Sequence, residues 1–476
     1  MTHLTFITLY LLALIGVGAY KAGKIKTQED FAVAGRSLTP WILVGTMMAT
    51  WMGTGSILGN AGKTYMTGMA ALILPIGGVV GIAFLTRIAG KVRSFNKFTV
   101  PEIIGDRYGS TARLLSVVAL VMAYMVIVSY QYNAGGAVLF TVLQDSAGNP
   151  MITEETGTII AALFIITYTV LAGLVSVAYT DVVNGIIMMV TFLIAFPLLW
   201  IKAGGADGMT ASFISMGKPE HMQFFGVYST IDIINFCLPP FLLVMGDANM
   251  YQRFFASKNA EGAKSATTVL IFAVAIMELL IIATAWVSAS LIPDAEVGKY
   301  VLIYAAHQLL PTFLGAVMMT TIVGIILSTA DSFLLVPATT LMKDVYLEYI
   351  NPKANQKKIV FLSRMLVLVL GIVAYIVSLG FAKSAGFFER ALYAYTIYGA
   401  AITPSLVAAL FWKGATKEGA VASILSGTFI TLLWKELPSL WTWVPAHIYG
   451  SVDEVLPAIS ASLFALISVS LLTKKN

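Results

Sequence analysis

The sequence predicts an all-α integral membrane protein with about thirteen transmembrane helices, and three observations predict it. First, 58% of the 476 residues are hydrophobic and only 11% are charged, with a mean hydropathy of +0.86. Soluble domains carry about 25% charged residues because water must wet their surface. Second, apolar stretches of about 20 residues recur along the chain. Third, basic residues concentrate in alternate loops. These observations exclude an ordinary soluble enzyme, a disordered chain and a collagen.

Thirteen apolar segments are long enough to cross a bilayer. The first lacks the basic start and the cleavage site of a signal peptide, so we interpret it as a retained helix. The predicted helices cover residues 4–20, 40–62, 69–88, 113–142, 158–177, 182–201, 228–252, 268–292, 312–343, 359–380, 388–411, 418–434 and 454–473.

Lysine and arginine predict the orientation of the chain. Alternate loops, beginning with residues 21–39, hold 22 of the 29 basic residues. Cytoplasmic loops are enriched in Lys and Arg, so the N-terminus is expected outside and the C-terminus in the cytoplasm, across a plasma or inner cell membrane. An even number of helices would spoil this alternation. The same distribution accounts for the net charge of +5 without a nucleic-acid partner.

Predicted helix 2 combines glycines with small hydroxyl residues at mid-membrane depth. Gly53, Thr54, Gly55 and Ser56 follow closely after Trp51. Glycine weakens a helix by about 1 kcal/mol relative to alanine, and lipid tolerates a broken helix only beside protein or a wet cavity. We therefore favour a break with a binding role, over the alternative that small residues let helices pack closely.

Predicted helix 7 contains a second set of helix breakers. Pro239-Pro240 removes two amide donors and predicts a kink, and Gly246-Asp247 places an acid in an apolar segment. Corresponding breaks in two halves of a chain point to a transporter binding site. The breaks lie five helices apart. Residues 40–201 therefore form a first repeat and residues 228–411 its inverted copy, with helix 1 and residues 412–476 as extra parts of one domain, 1–476.

Predicted helix 9 carries the polar run Ser328-Thr329-Ala330-Asp331-Ser332. Hydroxyl groups in membrane helices often bond only to carbonyls of their own helix. This run is richer than that role requires, and a hard cation such as Na⁺ binds several oxygen ligands.

Two further acids lie in or beside apolar segments. Predicted helix 6 opens with Tyr179-Thr180-Asp181, where an acid would also suit the helix dipole. Glu278 lies among apolar residues of predicted helix 8, and an ionisable group in such a place is functional by default.

Signatures of enzyme chemistry are missing from the sequence. It has no HExxH, GxSxG or P-loop motif. Its single cysteine, Cys237, excludes an intramolecular disulfide and a CxxC metal site. We therefore predict neither catalysis nor a cofactor.

Together these motifs resemble the sodium/solute symporter family, which includes sodium-coupled carriers of sugars, proline, sialic acid and choline. The resemblance covers nearly the whole chain. It rests on Thr99-Val100-Pro101-Glu102, Arg107-Tyr108-Gly109, the stretch 172–181, Tyr251-Gln252-Arg253-Phe254, Ser328-Thr329, Pro404, Leu410-Phe411-Trp412-Lys413 and Gly419-Ala420. It implies the LeuT-type inverted-repeat fold of five plus five helices with broken first helices, and sodium-coupled import of a small organic solute by alternating access.

The resemblance also implies the site residues, with Na⁺ as coupling ion. The sodium ligands would be the carbonyls of Ala49, Met52 and Ile325 and the hydroxyls of Ser328 and Thr329. A second sodium is implied at Asp181, Thr180 and Ser332. The implied solute-binding residues are Trp51, Gly53, Thr54, Gly55, Ser56, Tyr130, Gln131, Asp247 and Tyr395.

The main hypothesis for the solute is an amine or a quaternary ammonium cation. The stretch from Thr50 to Gly55 looks most like the choline-carrier branch, in which the matching tryptophan helps to cage a quaternary ammonium. Attraction between a desolvated cation and tryptophan is worth about 2 kcal/mol, and Asp247 would add a counter-charge. A neutral or zwitterionic solute, such as a sugar, urea or a proline-like amino acid, is the alternative.

Other hypotheses stay open at this point. In one of them, Trp51 and Asp247 do not bind the solute: Trp51 fills the core, and Asp247 faces a cytoplasmic entrance. An uncoupled channel, or a sensor with the same fold, would represent a different class of function. In each case we expect a monomer in a lipid bilayer, bound to small molecules and not to nucleic acid.

Overall fold

The computed structural model describes residues 2–22, 25–144, 149–294, 298, 300–381, 386–434 and 451–474. Regular structure within these ranges is helical, apart from two isolated β-bridges. The long helices are α1 (Thr2–Ala22), α2a (Pro40–Trp51), α2b (Gly55–Ile73), α3 (Ile76–Ser94), α4 (Ser110–Val142), α5 (Glu154–Leu171), α6 (Leu174–Lys202), α7a (Thr230–Gly246), α7b (Ala248–Ala256), α8 (Ala260–Ser290), α9 (Thr312–Ile350), α10 (Gln356–Phe381), α11a (Phe387–Ala401), α11b (Thr403–Phe411), α12 (Lys417–Leu433) and α13 (Val455–Thr473).

Nine helices in the described ranges are long and apolar enough to cross a membrane, and the bent pair α2a–α2b makes a tenth. Each of the thirteen predicted segments contains a helix. However, the continuous fully described apolar part of α1 is Thr2–Val17, α12 has 17 residues, and α3 carries three basic residues near its end. The chain is thus a multi-pass membrane protein, and thirteen spans remain a prediction.

Large apolar side chains cover the outside of the helices. Leu163, Ile186, Phe272 and Ile376 are each at least 60% exposed. Monomeric soluble proteins rarely expose a continuous apolar surface of this kind, whereas a lipid bilayer solvates it.

The polar centre of the molecule forms where the interrupted helices meet. Helix α9 packs against α4 and α6, α2a packs against α6, and α7a packs against α3 and α11a. Their facing side chains are almost completely buried, including most residues of α9. Buried backbone at a helix break needs partners inside the protein, and these neighbouring helices supply them.

One local prediction is wrong, and the interruption of helix 7 falls at one of its two predicted places. Helix α6 begins at Leu174 and not near Asp181, so Asp181 lies two turns inside it and cannot act on its N-terminal dipole. Helix α7a continues through Pro239 and Pro240 and ends at Gly246, so the interruption of helix 7 falls at Asp247. Five basic residues counted for orientation lie outside the described residues: Lys24, Lys299, Lys383, Lys435 and Lys475.

Candidate functional site

The break between α2a and α2b is the first wall of the site. The two helices meet at an angle of 50°. Met52 leaves the helical region, with ψ of 87°, after its amide has bonded the Met48 carbonyl at 2.9 Å. The final carbonyls of a helix have no partner within the helix. The carbonyls of Ala49 and Met52 lie in this last turn, as the sodium prediction requires.

Glycine is required at position 53 because α9 and α4 approach the backbone closely there. A Cβ on Gly53 would lie 2.9 Å from the Thr329 methyl carbon and 3.2 Å from the Gln131 amide nitrogen. Both distances are shorter than ordinary van der Waals contact. The break therefore brings the α2 backbone directly against polar side chains of its neighbours.

Helix α9 supplies the hydroxyl groups opposite the break. The Thr329 hydroxyl donates to the Met52 carbonyl at 3.3 Å, and Ile325 lies buried one turn earlier on α9. The Ser328 hydroxyl donates to Asp181 Oδ1 at 2.5 Å. The structure thus brings the predicted ligands Met52 and Thr329 into contact, whereas the Ser328 hydroxyl is bonded to Asp181. Hydroxyl and carbonyl oxygens of this kind fit a hard cation.

Asp181 is completely buried at the centre of a polar network. Its second oxygen accepts a hydrogen bond from the Thr46 hydroxyl at 2.5 Å and lies 3.7 Å from a guanidinium nitrogen of Arg253. Arg253 also donates to Ser332 Oγ at 2.6 Å and to Asn249 Oδ1 at 3.3 Å. This network joins α2a, α6, α7b and α9.

Arg253 corrects the orientation count made from the sequence. It was assigned to a cytoplasmic loop, but it lies in α7b with none of its surface exposed. A buried arginine needs a counter-charge, and Asp181 supplies it. The sequence carries little signal for this burial, because Asn249 and Gln252 precede Arg253 and only the following Phe254-Phe255-Ala256 is apolar.

The proposed members of a second sodium site are only partly together. Asp181 and Ser332 both contact Arg253, whereas the Thr180 hydroxyl bonds the Val177 carbonyl at 3.0 Å and lies 3.2 Å from the Tyr168 hydroxyl. Asp331 is also buried, and its Oδ1 has no hydrogen-bond partner among the described residues.

A central cavity lies beside the break, between α2, α4, α7, α9 and α11a. Its volume is about 10 Å³, the space of about one water. The cavity is lined by Trp51, Gly53, Tyr130, Gln131, Asp247 and Tyr395 among the predicted residues, and by Thr50, Ile127, Leu243, Thr329 and Phe333 in addition.

The other predicted solute-binding residues support the wall of this cavity or contact Glu278 outside it. Thr54 donates from its hydroxyl and its amide to Gln131 Oε1. Gly55 admits the Tyr395 hydroxyl, which would lie 2.8 Å from a Cβ at that position. Ser56 donates to Glu278 at 2.6 Å, on the other side of Trp51.

Asp247 caps the second half of helix 7. It is 2% exposed, accepts a hydrogen bond from the Tyr124 hydroxyl at 2.5 Å and one from the Asn249 amide at 3.1 Å. The Tyr398 hydroxyl donates to the Gly246 carbonyl at 2.7 Å and accepts from the Ala248 amide at 3.1 Å. The sequence carries no signal for Tyr124 and Tyr398, because tyrosine is common in membrane helices. Only the fold places these two side chains at the break.

A wide outer cavity opens beyond the central one. It has a volume of about 920 Å³ and is lined by α2b, α4, α5, α10 and α11a. Its wall carries Lys63, Lys218 and Arg390 together with Glu154 and Glu389. We refer to it as the vestibule.

Comparison with known proteins identifies the family. Residues 31–427 match the model of the sodium:solute symporter family. The chain belongs to the sodium:solute symporter family. Its function is therefore sodium-coupled transport of a solute across a membrane, with Na⁺ as the coupling ion, and it is not an enzyme.

Relatives of this symporter are proline transporters. It is 25% identical to the osmoregulated proline transporter OpuE of Bacillus subtilis, over 98% of this chain and 94% of the relative. It is 27% identical to the high-affinity proline transporter PutP of the same organism, over 97% and 96%. A sodium/proline symporter of Staphylococcus aureus is 26% identical, over 98% and 92%. The local resemblance to the choline-carrier branch is not confirmed.

Solved structures support the LeuT-type fold. A Na⁺-coupled sialic acid symporter, solved substrate-bound and outward-open, matches with a TM-score of 0.81 at 16% identity, over 99% of this chain and 98% of that one. MhsT in complex with L-phenylalanine matches with a TM-score of 0.55 at 13% identity, over 92% and 98%. At these identities the likeness concerns the fold alone.

Proposed function

We propose that this symporter imports a small zwitterionic amino acid of the proline type. The observation that carries the proposal is a free hydrogen-bond donor in the wall of the central cavity. The Gln131 side-chain nitrogen is buried and has no partner among the described residues, while its oxygen is held by Thr54. An unsatisfied buried donor costs about 1–3 kcal/mol, and a solute carboxylate would satisfy it.

The backbone beside Gln131 suits the same carboxylate. Helix α2b begins at Gly55, and the N-terminus of a helix carries positive partial charge, although the Ser56 and Ile57 amides already donate to the Gly53 carbonyl at 3.1 Å. Gly53 and Gly55 have no side chains of their own, so the polar groups of Thr329, Gln131 and Tyr395 approach this backbone directly. Broken helices of transporters bind anionic solute groups at such half-helix N-termini, so the cavity needs no basic side chain to bind a carboxylate.

Aromatic residues provide the apolar part of the site. Trp51, Tyr130, Tyr395 and Phe333 surround the cavity. These rings suit the apolar ring of a proline-like solute and attract the positive charge of its secondary ammonium. The relatives named as proline transporters support the same class of solute.

An amine or quaternary ammonium solute is the second candidate. The presence of Trp51 and Asp247 in one cavity favours it. However, Asp247 is already bonded by Tyr124 and by the Asn249 amide, which occupy Oδ1. A solute without a carboxylate would also leave the Gln131 donor unsatisfied. We therefore place this candidate after the zwitterion.

Sodium binding between α2 and α9 would couple the ion to the solute. In our proposal the ligands are the Ala49, Met52 and Ile325 carbonyls and the Ser328 and Thr329 hydroxyls. Since Thr329 lines the solute cavity and contacts Met52, an ion at this place would stabilise the same break that binds the solute. Each ligand then raises the affinity for the other, by linkage.

The proposed function is tested by uptake into proteoliposomes. We expect uptake of radiolabelled L-proline that requires an inward sodium gradient. Radiolabelled pyrrolidine, which lacks the carboxylate, should not itself be taken up, whereas radiolabelled choline should be taken up if the second candidate is right. Gln131→Glu places a negative charge beside the carboxylate and should abolish L-proline uptake. Uptake that is equal in sodium and potassium would overturn the proposal.

The remaining expectations complete the proposal. We propose an N-terminus outside and a C-terminus in the cytoplasm of a plasma or inner cell membrane, which makes the vestibule extracellular and the transport an import. The protein would act as a monomer, with residues 40–201 and 228–411 as its two repeats.

A further inference from the structure

Glu278 is a buried acid that the proposed transport site does not use. It lies in α8, is 2% exposed, and accepts hydrogen bonds from Ser56 Oγ at 2.6 Å and Asn60 Nδ2 at 3.2 Å. Both partners belong to α2b and are neutral. Within the described part of the chain, Glu278 forms no ion pair. A buried carboxylate requires a compensating positive charge or a proton.

Two aromatic rings beside Glu278 already hold a cation. Phe236 of α7a and Phe388 of α11a pack edge to face, with ring centroids 5.3 Å apart. The Lys63 ammonium lies 5.1 Å from the centroid of the first ring and 5.5 Å from that of the second. These distances are within the range of cation–π attraction. The ring pair therefore accepts an ammonium group in this structure.

The acid and the rings line one small cavity between the vestibule and the central cavity. This cavity has a volume of about 40 Å³ and includes Glu278, Ser56, Asn60, Phe236 and Phe388 in its wall. It shares Trp51 and Tyr395 with the central cavity and Phe388 with the vestibule. A solute that moves from the vestibule to the central cavity therefore passes Glu278.

We propose that Glu278, Phe236 and Phe388 form an outer subsite for the ammonium group of the incoming solute. The acid supplies the counter-charge and the rings supply cation–π attraction. The Lys63 ammonium is a tethered occupant of the ring pair, and the solute displaces it on the way in. The subsite deepens the proposed function, because it requires a solute with a positively charged nitrogen.

Binding of a simple cation tests the subsite without transport. The probe is the pyrrolidinium ion, which has the ammonium of proline without the carboxylate, titrated calorimetrically in sodium-free potassium buffer. We expect Glu278→Gln to weaken its binding at least tenfold. The glutamine oxygen can accept from the Asn60 amide while the glutamine nitrogen donates to the Ser56 hydroxyl, so the packing is preserved. Lys63→Met removes the tethered competitor and should strengthen binding several-fold.

A second variant distinguishes a loss of aromatic contact from a loss of folding. Phe236→Leu keeps an apolar side chain at the subsite but removes one aromatic face. We expect it to weaken pyrrolidinium binding several-fold while the thermal unfolding midpoint stays close to that of the wild type. Unchanged pyrrolidinium affinity in both Phe236→Leu and Glu278→Gln would overturn the subsite.

Uptake of L-proline separates this inference from the proposed function. If the wild type transports L-proline, the subsite predicts that Glu278→Gln raises KM several-fold with little change in the sodium requirement. An unchanged KM overturns the subsite and leaves the proposed function intact. Glu278-dependent binding of pyrrolidinium in a wild type that does not transport L-proline supports the subsite and overturns the proposed function. Loss of the pH dependence of uptake with full pyrrolidinium affinity would identify Glu278 as a proton site and overturn the subsite.

Discussion

At the residue scale, the sodium prediction depends on one hydroxyl that faces two sites. Thr329 donates to the Met52 carbonyl and lines the solute cavity. Its neighbour Ser328 is already bonded to Asp181. Thr329 is therefore the hydroxyl whose removal should affect the ion with the least disturbance of the buried charges.

Thr329→Ala should raise the sodium concentration for half-maximal uptake about tenfold or more. Hydrogen bonds and contacts to charged groups are worth about 1.5–3 kcal/mol, and about 1.4 kcal/mol is a factor of ten. The measurement is sodium-dependent uptake by proteoliposomes. Thr339→Ala, on the same helix, is the matched control, because the Thr339 hydroxyl is buried without a partner among the described residues. Equal sodium requirements in the two variants would contradict the assigned ligand.

The pair Asp181–Arg253 should behave as one unit in stability. Removing one member leaves a buried charge unpaired, which costs about 3–5 kcal/mol, whereas replacing both often costs much less. We expect Asp181→Asn and Arg253→Met each to lower the thermal unfolding midpoint strongly, and the double variant to lower it by less than the sum. Additive effects in this double-mutant cycle would show that the two charges are not coupled.

Sequence reasoning located these residues to different extents. Ser328, Thr329 and Asp181 were identified because a polar run in an apolar helix is visible without a fold. Arg253 was placed in a loop, since a count of basic residues cannot separate a buried arginine from an exposed one. Glu278 was recognised as unusual, but its partners Ser56 and Asn60 lie more than 200 positions away.

At the element scale, the two interrupted helices differ in how the sequence encodes them. In helix 2 the glycines lie at the break itself, because the neighbours leave no room for a side chain at Gly53. In helix 7 the prolines lie inside α7a, and the chain leaves the helix at Gly246-Asp247, where Asp247 caps α7b. Proline lowers helix stability locally, but the surrounding helices keep α7a in place.

Gly53→Ala should abolish sodium-coupled uptake while leaving the protein in the membrane. The new methyl group would lie 2.9 Å from the Thr329 methyl carbon, so α2 and α9 must separate at the proposed sodium site. Gly16→Ala in α1 is the control, because nothing lies within 4 Å of a Cβ there. Transport assays and sodium-dependent thermal stabilisation measure the effect. Normal sodium stabilisation of Gly53→Ala would contradict the close contact.

A second group of charges ties helices together at the other end of the bundle. Asp344 of α9 accepts hydrogen bonds from Arg113 of α4 at 2.7 Å and from Thr99, beside the short helix Val100–Tyr108, at 2.6 Å. Arg113 also pairs with Glu348 at 2.9 Å. The Asp344 side chain is completely buried, whereas that of Glu348 is 44% exposed.

These two acids should therefore differ in their contribution to stability. Asp344→Asn leaves Arg113 without its buried partner and should lower the free energy of unfolding by about 3–5 kcal/mol. Glu348→Gln removes an exposed partner of the same arginine and should cost about 0–1 kcal/mol. Thermal unfolding in detergent compares them. A larger loss for Glu348→Gln than for Asp344→Asn would refute the role of burial.

At the scale of the whole molecule, we propose that the three cavities form one path for the solute. The vestibule and the small cavity at Glu278 share Phe388 in their walls. The small cavity and the central cavity share Trp51 and Tyr395. The volume falls from about 920 Å³ to about 40 Å³ and about 10 Å³. The path is therefore wide at one face of the membrane and narrow at the centre, as alternating access requires of one of its states.

Composition was sufficient to predict a multi-pass membrane protein, but not the exact number of spans. α1, α3 and α12 have the features of marginal spans, because short or partly basic helices satisfy a bilayer only with help from their neighbours. α12 packs along α13, for example. Such packing is a property of the folded chain, and a window of sequence does not contain it.

The orientation of the whole molecule is tested with single cysteines. Cys237 is the chain's one cysteine, so Cys237→Ser provides a cysteine-free background. Glu220→Cys lies in the loop after α6, which the basic residues predict to be outside, and Lys258→Cys lies in the loop before α8, predicted to be cytoplasmic. Both residues are exposed in the structure.

A membrane-impermeant maleimide applied to intact cells should label Glu220→Cys and spare Lys258→Cys until the cells are permeabilised. The physical reason is that Lys and Arg are retained on the cytoplasmic side during insertion, and the burial of Arg113 and Arg253 removes only two residues from a strongly unequal distribution. Permeabilised cells, in which both variants must be labelled, control for reactivity. The reverse pattern would place the vestibule in the cytoplasm and overturn the proposed orientation.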